Sequence, residues 1–161
     1  MKPSPPPGPS PENRELATAS DTAAAVQAAL GTEHAAVWCY GLLVAFLPPA
    51  LDRLARQDAT AHRARRDFIS RTLADAGVPP IAAEPGYRTP NTVVDQASAI
   101  HLAISAEADA AAAWRSVLER CDDPALRRVA LEGLTDAAVR GAQWAARSET
   151  APVVPTFPGR T

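Results

Sequence analysis

Residues 31–46 read GTEHAAVWCYGLLVAF, the most apolar stretch of the chain, yet Glu33 and His34 stand near its start. Tyr40 follows Glu33 by seven residues, which is two turns of an α-helix. Val37 falls on the same face, so the spacing predicts a core helix that buries a carboxylate and an aromatic ring along one stripe. A buried carboxylate is costly unless it is paired. The stretch therefore predicts a helical core and a polar site within it.

The composition favours a helical protein with no strong charge. The chain has 161 residues, of which 47% are hydrophobic but only 5% aromatic. The excess is alanine, which has the best helix propensity. A net charge of −2 gives no field that would attract nucleic acid or anionic lipid, and we expect neither partner.

The cysteines and the apolar runs predict a cytoplasmic protein. Cys39 and Cys121 fit no metal motif, and a reducing compartment is expected for them. The first residues contain no apolar secretory segment. The apolar run 37–46 is about half of the length that crosses a bilayer, so we expect no membrane partner.

Prolines and glycines divide the chain into four predicted helices between two proline-rich ends. Residues 1–13 are predicted to be a flexible tail and residues 149–161 a second tail, with one domain at 14–148. Proline and aspartate mark most of the helix boundaries. The predicted helices are 21–47 (with an alternative start near Glu12), 49–76, 90–120 and 124–147.

The long connection between the second and third helices indicates the topology. Residues 78–89 could span ~40 Å when extended, about the length of a 28-residue helix. Antiparallel neighbours would need a much shorter loop. We therefore expect an all-α four-helix bundle in which two helix hairpins are joined by a long crossover loop.

An internal repeat relates the two predicted hairpins. When the chain is shifted by 74 residues, polar and aromatic residues of the inward helix faces coincide. Four of them, Glu33, His62, Glu107 and Asp136, fall near the middle of their helices, so we expect one polar layer in the core. The matched pairs are Glu33 with Glu107, Tyr40 with Trp114, Asp58 with Glu132, His62 with Asp136 and Arg66 with Arg140.

These motifs resemble the ferritin-like superfamily and, more closely, an uncharacterised ferritin-like family of high-GC bacteria. The residues that carry the resemblance are Glu33-His34-Ala35-Ala36 with Tyr40, the run 61–67, Tyr87, Asp95 with Ala97-Ser98, Glu107 with Trp114-Arg115, and the run 135–140. The resemblance implies a ferritin-like four-helix bundle over about residues 20–147. It implies no established activity.

The resemblance also implies where a di-metal centre would lie. In metal-binding relatives, helices 1 and 3 each supply a Glu, and helices 2 and 4 each supply Glu-x-x-His. Glu33 and Glu107 match the single glutamates. Helix 2 instead has Asp58 and His62, four residues apart, and helix 4 has Glu132 and Asp136. The chain thus departs from the metal-binding pattern.

Two hypotheses follow for the polar layer, and whether the protein is an enzyme stays open. In the first, Arg66 and Arg140 replace the metal cations beside Glu33 and Glu107 in a degenerate, cofactor-free site of a non-catalytic binding or structural bundle. The core layer is then Glu33, His62, Arg66, Glu107, Asp136 and Arg140, flanked by Tyr40, Trp114 and Tyr87.

In the alternative, the chain is an oxidase or another oxygen-handling protein. It would hold iron or manganese in an oxygen-rich set of ligands. Those ligands would be Glu33, Asp58, His62, Glu107, Glu132 and Asp136. In either case we expect a homodimer, since closed two-fold dimers are the commonest oligomers, and the sequence identifies no ligand or protein partner.

Overall fold

The computed structural model describes residues 11–148 and 155–160, with side chains from residue 19 onward. In this part of the chain the fold is all-helical, with four α-helices and no strand. A short 3-10 turn, Val44–Phe46, follows the first helix. The helices are α1 (Pro11–Leu43), α2 (Pro49–Asp75), α3 (Gln96–Arg120) and α4 (Pro124–Ala145).

The start of α3 differs from the prediction. The helix begins at Gln96 rather than at residue 90, because Asp95 caps it. The Asp95 carboxylate accepts a hydrogen bond from the backbone N–H of Ser98, and the Ser98 hydroxyl accepts from the backbone N–H of Asp95. This reciprocal capping box satisfies two N–H groups that a helix start leaves without partners.

Proline and aspartate determine the other helix boundaries. Pro49 occupies the first turn of α2, where its missing N–H costs nothing. The Asp123 side chain accepts from the backbone N–H of Leu126, and Pro124 opens α4. Gly77, with φ of 74°, follows α2 in the left-handed conformation that glycine adopts readily.

The predicted tails are described only in part. The described part of α1 begins at Pro11, so residues 11–13 are helical rather than part of an extended tail. Residues 1–10, 149–154 and 161 lie outside the described residues. Residues 155–160 contact α3, where Gly159 lies against Ala111 and Arg115.

The main helix contacts join the helices in the order α2, α1, α3 and α4. α1 contacts α2 and α3, and α4 packs against α3. The segment between α2 and α3 contacts α1 at successive points. Gln27 donates to the Pro79 carbonyl, His34 bonds the Ile81 carbonyl at 3.3 Å, and the Trp38 and Tyr87 rings lie 6.0 Å apart.

Among the described residues the apolar core has two large clusters along the bundle and a third, small one of Ala110, Ala111 and Ala137. One large cluster contains Cys39, Tyr40, Leu43, Ile100, Leu102 and Trp144. The other large cluster contains Leu30, Ile69, Leu73, Trp114 and Val117. Along each of α1, α2 and α3 a buried polar residue separates the large clusters, and these residues are Glu33, His62 and Glu107.

Among the described residues, one helical stretch is long and apolar enough to cross a membrane by length and composition. It covers Ala19–Phe46, with a mean hydropathy of 1.2. The core helix of a soluble protein passes the same test, and Glu33 lies in its middle with no exposure. The most apolar window of this stretch is 39% buried inside the bundle, and the cellular location stays a prediction.

Candidate functional site

A buried histidine joins the two repeat-related glutamates. The Nδ1 atom of His62 lies 2.7 Å from Glu33 Oε2, and its Nε2 atom lies 3.0 Å from Glu107 Oε1. All three side chains are fully buried. Mid-helix positions on α1, α2 and α3 bring them together. The histidine thus occupies the space between the carboxylates, with both ring nitrogens engaged.

The two aromatic residues of the repeat each bond the glutamate of the other half. The Tyr40 hydroxyl donates to Glu107 Oε1 at 2.7 Å, and the Trp114 indole N–H donates to Glu33 Oε1 at 2.8 Å. Both rings are buried. Buried tyrosine and tryptophan normally find such partners for their polar ends. The pairing places Tyr40 and Trp114 in the polar site as hydrogen-bond donors.

Two cations bond the same oxygen of Glu107. The Arg140 Nε donates to Glu107 Oε1 at 3.0 Å, so this oxygen accepts from Arg140, His62 and Tyr40. The other oxygen, Oε2, has no hydrogen-bond partner among the described residues, and neither has Nη2 of Arg140. The contact expected between Arg140 and Glu107 is therefore present, through one nitrogen rather than through a fork.

The charges of this cluster are set by burial and by its hydrogen bonds. Burial alone would lower the pKa of His62, but the hydrogen bonds and charges of Glu107 and Glu33 outweigh it and raise the pKa from 6.5 to about 9. For Glu107 the effect of burial has the opposite sign and would raise the pKa, but His62 and Arg140 hold that pKa below its usual value. At neutral pH the site therefore contains an imidazolium beside an ionised carboxylate.

Asp58 and Trp144 extend the network toward the neighbouring apolar cluster. The Trp144 indole N–H donates to Asp58 Oδ2 at 2.9 Å, and the Tyr40 hydroxyl lies 3.5 Å from the same oxygen. Burial raises the pKa of Asp58, although the bond from Trp144 opposes the shift. The sequence prediction of the polar layer did not include Trp144. A signal was available, because Trp144 follows Arg140 by four residues and a buried indole N–H needs an acceptor.

The prediction that Arg66 bonds a core glutamate is wrong. Its guanidinium bonds Asp67 at the surface, at 2.8 Å from Nη2 to Oδ1. The oxygens of Glu33 accept hydrogen bonds from His62 and from Trp114 instead.

The neighbouring Arg65 is the arginine that approaches the core from α2. Its guanidinium carbon lies 6.0 Å from the centre of the Trp114 ring, at the limit of a cation–π contact. Its Nη2 lies 2.5 Å from Asp136 Oδ2. Arg65 therefore covers the outer side of the ring that bonds Glu33.

Two other predicted residues lie outside the core layer. The Asp136 side chain is 53% exposed and bonds Arg65, and Glu132 is exposed. The buried stripe of α4 runs instead through Gly133, Ala137, Arg140 and Trp144. The inward face is therefore rotated away from both acids, and α4 contributes a cation rather than carboxylates.

Tyr87 lies in the segment between α2 and α3 and not in the core layer. Its hydroxyl accepts from the backbone N–H of Glu84 at 3.0 Å, and its ring faces Trp38. The contact with Trp38 attaches the segment to α1. Tyr87 also lines a groove of about 750 Å³ between that segment, α1 and α3.

The arrangement of these groups does not fit an iron or manganese centre. The imidazole uses both nitrogens on carboxylates, and the Arg140 guanidinium places a positive charge on Glu107 Oε1. Within residues 11–148 and 155–160, no group of three or more His, Cys, Asp or Glu side chains has the geometry to hold a metal ion. Of the six ligands considered, Glu132 and Asp136 are exposed.

Comparisons with known proteins identify a family but name no activity. No curated protein matches the chain. The crystal structure of a conserved hypothetical protein, rv2844, from Mycobacterium tuberculosis is similar, with 36% identity and a TM-score of 0.78. The match covers 80% of this chain and 97% of that one. The family model described as "Domain of unknown function (DUF4439)" matches residues 25–161. The chain therefore belongs to the DUF4439 family.

Proposed function

We propose that this protein is a ferritin-like bundle of two helix hairpins joined by a crossover, in which protonated His62 and Arg140 take the place of metal ions. In this proposal the bundle is a non-catalytic binding or structural module. The family and the similar solved structure name no activity, so the support comes from the geometry of the core.

The contacts of the segment between α2 and α3 support the ferritin-like topology. Its residues Pro79, Ile81 and Tyr87 meet α1 in order, at positions progressively closer to the end of that helix. A segment that follows a helix in this way returns the chain from one end of the bundle to the other. This is the connection expected between two hairpins of a ferritin-like fold.

The bridging histidine is the observation that carries the proposal. With Nδ1 on Glu33 and Nε2 on Glu107, a doubly protonated ring satisfies both carboxylates and leaves no nitrogen lone pair for a metal. A pKa of about 9 keeps the ring charged at neutral pH. His62 thus supplies positive charge between the glutamates, as a bridged metal would in a metal-binding relative.

The burial of the network supports a non-catalytic role. Glu33, His62 and Glu107 are at most 1% exposed, and most of their polar atoms bond one another. A catalytic acid or base must come within hydrogen-bond reach of a substrate. Groups that are paired with one another inside the core instead fix the helices relative to one another. Such buried polar groups specify the register of the helices more than they add to stability.

Metal analysis of the purified chain tests this proposal. The protein should be produced with added iron and manganese, and its metal content measured beside that of a Glu33→Gln variant. We expect well under one equivalent of either metal in both proteins. One or two tightly held equivalents in the parent chain, lost in the variant, would revive the oxidase alternative and refute the proposal.

A homodimer in the cytoplasm is also part of the proposal. Leu131 and Val139, eight residues apart on α4, are about half exposed, as a self-complementary apolar face requires. Sedimentation analysis of the parent chain and of Leu131→Glu tests it. We expect a dimer that the variant weakens, whereas a monomer in both cases would contradict it.

A further inference from the structure

The side of the bundle between α2 and α4 is closed by side chains rather than by packed helices. Among the described residues, α2 packs against α1 and α4 packs against α3, but α2 and α4 are not among the helix pairs that pack closely. Two side-chain bonds cross between them, from Trp144 to Asp58 and from Arg65 to Asp136. The region between α2 and α4 that these four residues mark, here called the seam, therefore depends on side chains for its closure.

The Trp114 ring, which extends from α3, contacts both helices of the seam. A Cβ on Gly133 of α4 would lie 2.6 Å from the ring, so the ring lies directly against that helix. On the α2 side the guanidinium carbon of Arg65 lies 6.0 Å from the ring centre. The indole N–H donates to Glu33, which in turn bonds His62. Trp114 therefore connects the seam with the buried polar layer.

An exposed partner holds Arg65 beside this ring. The Arg65 side chain is 14% exposed and that of Asp136 is 53% exposed, and Nη2 of Arg65 lies 2.5 Å from Asp136 Oδ2. The other terminal nitrogen, Nη1, is buried and has no hydrogen-bond partner among the residues that the structure describes. Rotation of the guanidinium into water removes that desolvation cost and gives the long side chain more rotamer freedom. The bond to Asp136 opposes both effects and keeps Arg65 inward.

We propose that Arg65 is a gate on the seam, closed by its bond to Asp136, and that it controls the access of water to the Trp114 indole and through it to Glu33. When the bond breaks, the Arg65 side chain rotates into solvent while the helices stay packed. The gate thus gives water a route to the edge of the buried layer without unfolding of the bundle. It is tested by hydrogen exchange rather than by metal content, so the gate and the role proposed above can fail separately.

Hydrogen–deuterium exchange of the indole N–H groups in the full-length chain measures the gate. NMR follows the indole signals of Trp38, Trp114 and Trp144 separately. When closing is faster than the chemical exchange step, the exchange rate reports the population of the open state. In the parent protein we expect Trp114 to exchange at least about tenfold more slowly than Trp38, which is partly exposed on α1. Exchange of Trp114 as fast as that of Trp38 would contradict a closed gate.

Two substitutions remove the gate contact from opposite sides. Asp136→Ala removes the exposed partner and should speed the exchange of the Trp114 indole by about twofold to fivefold, the range expected for a partly exposed ion pair. Arg65→Ala removes the gate itself and should speed it by about tenfold or more. In the Arg65→Ala background, Asp136→Ala should add nothing. The matched controls are Glu132→Ala, at an exposed acid one turn earlier on α4, and Arg66→Ala, and both should leave the rate unchanged.

Backbone amides distinguish a moving side chain from a general loss of stability. In Asp136→Ala the amide exchange of α3 around Trp114 should stay unchanged while the indole exchange rises, because only the Arg65 side chain moves. Equal acceleration of the amides and of the indole would mean that the helices unfold, and would overturn the proposal. Unchanged indole exchange in both Asp136→Ala and Arg65→Ala, or the same acceleration in Glu132→Ala, would overturn it as well.

Discussion

Replacement of His62 by glutamine should change both the stability of the bundle and its dependence on pH. The substitution leaves Glu33 and Glu107 buried without the imidazolium between them. A buried charge that loses its partner costs about 3–5 kcal/mol. The raised pKa of His62, from 6.5 to about 9, corresponds to about 3 kcal/mol of stabilisation of the protonated ring. We therefore expect His62→Gln to lose about 3 kcal/mol near neutral pH.

The sign of the pH effect follows from the direction of the shift. Because the folded pKa of His62 lies above the unfolded value, its stabilisation is fully present below pH 6.5 and is lost as the pH rises through about 9. Glu107 acts in the opposite direction. Its folded pKa is lowered, so its stabilisation is present above about pH 4.5 and is lost as the pH falls through the folded value.

Urea unfolding followed by tryptophan fluorescence measures both effects. The free energy of unfolding should be determined at several pH values for the parent chain, His62→Gln and His101→Gln, the last being a control at an exposed histidine. The difference between the parent and His62→Gln should shrink by most of its ~3 kcal/mol between about pH 6 and pH 10. A difference that is independent of pH, or one that His101→Gln reproduces, would refute the reasoning.

Two further predictions concern single contacts of the core. Gly133→Ala should destabilise the protein by about 1–3 kcal/mol in urea unfolding, because the new Cβ would lie 2.6 Å from the Trp114 ring. Gly41→Ala, whose new Cβ would meet no atom within 4 Å, should be neutral or stabilising. Equal effects of the two substitutions would contradict the packing described. Arg140→Ala should lower the free energy of unfolding by about 3 kcal/mol. Arg66→Ala breaks only a surface ion pair and should lower it by less than about 1 kcal/mol. A larger loss for Arg66→Ala than for Arg140→Ala would indicate that Arg66, and not Arg140, bonds the core glutamate.

Helical spacing was sufficient to predict which glutamates lie in the core. Glu33 and Glu107 each stand on an apolar stripe with an aromatic residue seven positions later, and both are buried. Such patterns depend on local periodicity, which the sequence displays directly. The repeat also related Tyr40 to Trp114, although it did not reveal that each ring bonds the carboxylate of the other half.

The choice among neighbouring polar residues could not be made from spacing alone. Arg65 and Arg66 differ by about 100° around α2, and both have side chains long enough to reach several partners. Arg66 bonds Asp67 at the surface, whereas Trp114 and His62 bond the oxygens of Glu33. Which residues meet Glu33 is decided across the bundle, between helices that are distant in sequence. The same holds for α4, whose rotation exposes Asp136.

The missed start of α3 has a different cause. Asp95 and Ser98 have the spacing of a capping box, with a serine in the position that glutamate or glutamine more often fills. Pro90 offered a competing start signal, because proline is favoured in the first turn of a helix. In the structure the reciprocal Asp95–Ser98 bonds determine the boundary, and the signal was present in the sequence.

The protonation of His62 tests the central claim most directly. Nitrogen NMR of the labelled imidazole distinguishes a ring that carries a proton on both nitrogens from a neutral tautomer. We predict that both nitrogens of His62 are protonated at neutral pH and that the ring titrates with a pKa of about 9. A neutral His62 at pH 7, with one nitrogen free of a proton, would contradict the account, since the two glutamates would then lack the cation that joins them.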